Sequence, residues 1–115
     1  MRLREGPITA AIYAGSTLSR DFGISITQQV SECWNFCSER GWKIEYVFID
    51  LGENGDLISR RNFREMIREA RIGRFDRIVL CCLNYPCSSK TDLMQAERAL
   101  KHASIPFQSV RKEDE

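Results

Sequence analysis

Three hydroxyl side chains, Ser16, Thr17 and Ser19, follow Gly15 at the end of the apolar run ITAAIYA. A hydroxyl placed just past a strand can attack a carbonyl or phosphorus centre if a neighbouring base or cation helps it ionise. The same residue types also build ordinary turns by bonding nearby backbone, and this is the plainer reading of the three. Arg60, Arg64, Arg68 and Arg71 recur at spacings that place them on one helix face. Such a stripe either contacts phosphates or lies solvated beside Glu65 and Glu69, and the solvated face is the simpler account. The lone His102 falls near a predicted helix end with no acid or nucleophile nearby in sequence, which suits a helix-end residue better than a general base.

Five cysteines, Cys33, Cys37, Cys81, Cys82 and Cys87, make an odd count that argues against a closed disulfide framework. Zinc ligation by Cys33, Cys37, Cys82 and Cys87 would need spacings at or beyond the edge of common knuckles, with the first pair in mid-helix. Small apolar packing groups are the simpler role, and no metal is expected. No glycine-rich phosphate loop occurs, so no cofactor is expected either.

Those residues must be held by a small scaffold. The 115 residues suit one domain, spanning 1–115 with frayed ends at 1–7 and 111–115. Apolar residues make up 43% and charged residues 29%, an ordinary globular composition. The net charge of +1 excludes a whole-surface attraction for nucleic acid but leaves room for a local basic patch. No run approaches the roughly 20 apolar residues of a membrane helix, so no membrane partner is expected. MRLREGP lacks the apolar core of an export signal, which makes the cytoplasm, with reduced thiols, the expected location.

Residues 8–14 read as a buried strand, followed by a polar loop over 15–24. Ser25 and Gln28 form an S-x-x-Q capping box, behind which Ile26, Val30, Cys33, Cys37 and the neighbouring Trp34 recur at helical spacing until Gly41. Residues 43–50 predict a second strand, 51–59 a loop, and 60–72 a helix with Phe63, Ile67 and Ala70 inward. Residues 75–82 predict a third strand, and Pro86 breaks the loop that follows. Thr91 or Ser89 caps a third helix to about residue 103, with Leu93, Ala96 and Leu100 inward. IPFQSV supplies a fourth strand before the charged tail RKEDE. Alternating strands and helices imply an α/β domain: three layers, a four- to five-stranded mostly parallel sheet in the order 2-1-3-4, and helices on both faces. In such folds chemistry gathers where strands end, at the loops 15–24, 51–59 and 83–90.

IYA, SITQQ, GWKIEYVFIDLGENG, ARIGRFDRIVLCCL and IPFQSV, in this order and spacing, resemble the catalytic domain of serine recombinases of the resolvase/invertase group over about residues 8–110. The resemblance implies a resolvase-like fold, DNA as substrate, and strand exchange through a covalent phosphoryl–serine link without a metal. It also implies a homo-oligomer or a partner recombinase. The family's first strand ends Y-A-R-x-S. Here Tyr13 matches, Gly15 stands where the phosphate-binding arginine would be, and Thr17 stands where the nucleophile would be. Gln29 and Arg60 look kept. The loop serine after the second strand looks replaced by Asn54, the acid after the third by Asn84, and two further arginines by Tyr85 and Ser88.

The resemblance therefore assigns vestigial catalytic roles to Thr17, Ser16 and Arg60, and substrate contacts to Tyr13, Gln29, Asn54, Asn84 and Arg64. A positioned arginine in phosphoryl transfer is worth about 10³–10⁵ in rate. Three are missing, which predicts an impaired recombinase domain that binds DNA weakly or serves as a protein-interaction module. The alternative is an active enzyme using a hydroxyl of residues 15–19, with Arg20 or Lys90 supplying charge. The family usually continues with a long dimerisation helix and a DNA-binding domain, whereas this sequence stops at RKEDE; an excised domain or a short protein would each account for that.

Overall fold

A computed structural model describes residues 6–17, 25–53, 56–83, 87 and 89–111. Four strands, β1 (Thr9–Thr17), β2 (Lys43–Glu53), β3 (Arg77–Leu80) and β4 (Phe107–Ser109), alternate with three helices, α1 (Ile26–Glu39), α2 (Arg61–Arg71) and α3 (Lys90–Lys101). The strands form one sheet in the order β2-β1-β3-β4, and every pairing is parallel. Among the described residues the sheet thus has the expected order and the lower of the two expected strand counts.

The central strand sends alternate side chains to opposite faces, as a pleated strand must. Ala11 and Tyr13 enter the core built with α2 and α3, where Phe63, Met66, Ile78 and Leu100 are buried. Ala10 and Ile12 enter a second core with Cys33 and Cys37 of α1 and with Val79 and Cys81. All five cysteines are buried and none is in a disulfide, consistent with their reading as packing groups. Trp34 is not part of this inward stripe: it is 49% exposed, and the buried positions of α1 are Gln29, Cys33 and Cys37. Its position beside Cys33 turns it one residue away from the buried arc.

Helix starts follow local chemistry. Ser25 Oγ accepts from the Gln28 backbone N–H at 3.1 Å, and Ser89 Oγ accepts from Asp92 N–H at 3.0 Å. Each satisfies a donor that the first helical turn leaves open. Gly41 and Gly73 follow α1 and α2 with φ of 72° and 82°, conformations that side chains disfavour. All four strand ranges differ from expectation, and β3 and β4 are the shorter ones, at Arg77–Leu80 and Phe107–Ser109. β1 continues through Gly15 to Thr17 instead of breaking at Gly15, and β2 runs to Glu53. The register explains the extra length: Gly15 pairs with Asp50 and Thr17 with Glu53, with β2 carrying an added residue between them. A 3₁₀ turn, Leu57–Ser59, then precedes α2 within the span expected to be loop.

Candidate functional site

The carboxyl ends of β1 and β2 and the start of α2 converge on Asp50, which is 2% exposed. Its Oδ2 accepts from the Tyr13 hydroxyl at 2.8 Å and from Phe63 N–H at 3.0 Å, while Oδ1 accepts from Asn62 N–H at 3.0 Å. α2 has no side-chain cap of its own, because Arg60 at its N-cap makes no capping bond. Asp50 fills that role from the neighbouring strand, where a carboxylate also meets the positive end of the helix dipole. The Asn62 amide adds a 2.6 Å bond to the Ile49 carbonyl, fastening the same helix start to β2. Burial pushes the Tyr13 phenol far above its ordinary value, the Asp50 hydrogen bond and negative charge push it further, and Arg60 partly opposes them. Tyr13 is therefore a neutral donor.

Gln29 holds the end of β1 from the opposite face. Its Oε1 accepts from Gly15 N–H at 3.3 Å and its Nε2 donates to the Gly15 carbonyl at 3.1 Å. Both groups are buried, so an unpaired amide here would carry a desolvation cost. Arg60 is 1% exposed and its Nη1 donates to the Ser16 carbonyl at 3.3 Å. Within the same arrangement it reaches the Tyr13 phenol. The four-arginine face expected of α2 is thus broken at its first member. Arg60 stands at the N-cap in extended conformation and turns inward, while Arg64, Arg68 and Arg71 stay exposed on the helix.

The structure brings Tyr13, Gln29, Arg60 and the backbone of Ser16 together at the carboxyl edge. Arg64 lies apart on the outer surface of α2, and the backbone of Thr17 closes β1 beside Glu53. Ser19, Asn54, Asn84, Tyr85 and Ser88 lie outside the described residues. Two acids central to this edge went unread in the sequence. Asp50 looked like one more polar position in KIEYVFID, although an acid ending an apolar strand is a signal that it bonds something buried. Asp92, fully buried, accepts from Leu57 N–H at 2.7 Å and ties the 3₁₀ turn before α2 to α3. No group of three or more His, Cys, Asp or Glu suited to a metal occurs among the described residues.

An all-parallel β2-β1-β3-β4 sheet, helices on both faces and a hydroxyl-bearing strand end beside a buried arginine define a resolvase-like α/β domain. The family model "Resolvase, N terminal domain" matches residues 11–115, and the chain belongs to that family of serine recombinase domains. No curated protein matches it. Among solved structures it is similar to the N-terminal catalytic domain of TP901-1 integrase, with 20% identity and a TM-score of 0.73 over 89% of this chain and 76% of that one. The C-terminal catalytic domain of ISC1926 TnpA, an IS607-like serine recombinase, gives 17% identity and a TM-score of 0.70, covering 92% and 72%. A resolvase family site-specific recombinase from Streptococcus pneumoniae gives 16% and 0.66, covering 90% and 72%. At these identities the likenesses establish the fold. No helix among the described residues is long and apolar enough to cross a membrane.

Proposed function

We propose that this resolvase-type domain has lost DNA strand cleavage and acts as a DNA- or protein-interaction module, alone or beside a second recombinase copy. The observation that carries the reading is the inward turn of Arg60. It is the one arginine at a position matching the family's active site, and it holds the Ser16 carbonyl from a site almost closed to solvent. A cation in that place positions the strand end. Phosphoryl transfer needs cations aimed at charge spreading over phosphate oxygens, and Gly15 supplies none. Thr17 adds a β-branch that restricts its side chain.

The test is a search for a covalent protein–DNA adduct on a denaturing gel, using supercoiled DNA and duplexes with a nicked or mismatched crossover. No adduct is expected from the natural chain or from Thr17→Ser, since members of a cooperating site do not act additively and one repair does not restore it. An adduct abolished by Thr17→Val would overturn the reading in favour of an active recombinase. One abolished only by Ser16→Ala would do the same and place the nucleophile one residue earlier.

A further inference from the structure

A groove of about 1040 Å³ runs between the carboxyl half of β2 and α2, with Ile49 and Asp50 on one side and Arg61, Arg64 and Arg68 on the other. We propose that this groove is a second DNA-contact surface, in which the three arginines hold successive phosphates of one duplex strand leading away from the Ser16–Arg60 edge. The proposal rests on DNA being the partner of that edge. It concerns binding outside the reacting centre, where the buried Arg60 takes no part.

Three features favour a phosphate backbone as the occupant. The first is reach. Arg61 and Arg68 are seven residues apart, about 10 Å along a helix rising 1.5 Å per residue. Along a duplex axis each strand advances about 3.4 Å per phosphate, so the row reaches over two to three of them. The second is availability. All three arginines are exposed, and of the three only Arg68 sits in an ion pair among the described residues, with Glu65 one turn earlier. The third is that both acids in the wall, Glu65 and Asp50, are already engaged, the first by Arg68. Both oxygens of Asp50 accept hydrogen bonds, two of them from backbone N–H groups at the start of α2. Its charge faces a helix N-terminus, which leaves the guanidinium row to set the sign of the groove. A net charge of +1 over the whole chain makes this a local attraction.

The experiment is fluorescence anisotropy with a labelled mixed-sequence duplex across a salt series, in a Thr17→Val background so that no covalent chemistry contributes. Each neutralised phosphate contributes about −0.9 to the log–log salt slope. Arg61→Gln with Arg64→Gln and Arg68→Gln is expected to flatten the slope by about 2–3 by the same rule, with an unchanged melting temperature. Glu65→Gln, which releases Arg68, is expected to steepen it. Arg71→Gln, outside the groove, is expected to leave it unchanged. An unaltered slope in the triple variant, an equal loss in Arg71→Gln, or no duplex binding at low salt would each overturn the proposal. The adduct assay reads cleavage separately: an adduct with a groove-dependent slope removes the impairment reading and keeps the groove, and the reverse combination removes only the groove.

Discussion

Replacing Asp50 tests whether the carboxyl edge is built as a structural hub. In Asp50→Ala three donors lose their acceptor: the Tyr13 hydroxyl and the backbone N–H groups of Asn62 and Phe63. A hydrogen bond to a charged group contributes about 1.5–3 kcal/mol, and a buried donor left alone costs about 1–3 kcal/mol. Loss of a helix cap alone costs about 0.5–2 kcal/mol. Because these figures describe overlapping effects, the expected loss is about 3–5 kcal/mol, less than their sum. A domain of this size has roughly 5–15 kcal/mol in total, so the loss is a large fraction of its stability. With an m-value of about 2 kcal/mol/M, the urea midpoint falls by about 1.5–2.5 M. Tyr13→Phe removes only the phenol donor and is expected to cost about 1–2 kcal/mol. The double variant should cost less than the two single losses added, since both include the same bond. A midpoint shift below about 0.5 M for Asp50→Ala, equivalent to about 1 kcal/mol, would refute the hub. Strict additivity with Tyr13→Phe would refute the shared bond.

Two further outcomes follow from the packing around α1. Arg111 donates to both oxygens of Glu32, at 2.8 and 2.6 Å, and with the Cys81 and Gln28 hydrogen bonds it holds that carboxyl down to about 2 from 4.5. A depressed carboxylate contributes its stability in full above the ordinary value and loses it as pH falls from 4.5 toward 2. Urea midpoints of the natural chain and Arg111→Gln should therefore differ at neutral pH and converge across that window; a gap that persists at its acid end would count against the pair. Burial, followed by the Glu32 contact, pushes the Cys81 thiol up to about 12, and burial likewise pushes Cys33 well above its ordinary range. Neutral buried thiols are poor nucleophiles. A disulfide reagent in mildly alkaline buffer should label neither until urea unfolds the chain, and rapid native labelling of Cys81 would contradict this.

What the sequence made legible was local. The S-x-x-Q pair at Ser25 and Gln28 marked the start of α1 because a cap is a bond across three residues. Alternation of strands and helices gave the layer order for a similar reason: short connections leave few ways to return to a parallel sheet. The edge of the sheet was harder to read, because its determinants are distant in sequence. β1 passes Gly15 since Gln29 grips that residue from α1 and Asp50 pairs with it from β2. Arg60 looked like the first member of a basic helix face. It leaves that face because the residue at the N-cap takes extended dihedrals, here φ −78° and ψ 141°, and so escapes the helical period. The cap itself comes from Asp50, ten residues earlier on another element. Spacing along one helix carries no signal for that.

The same geometry bears on what a family resemblance can assign. Tyr13, Gln29 and Arg60 all match positions that the resemblance links to catalysis or substrate contact. In this chain each one bonds a protein group: the Asp50 carboxylate, both backbone atoms of Gly15, and the Ser16 carbonyl. Each is almost closed to solvent. A residue in that condition holds the strand end whether or not a phosphate ever arrives, so its presence is no argument that cleavage persists. The groups that decide the chemistry must be able to face a substrate. At the first strand the family pattern that this chain resembles supplies a hydroxyl and an arginine, and the position that the resemblance matches to that arginine is Gly15 here.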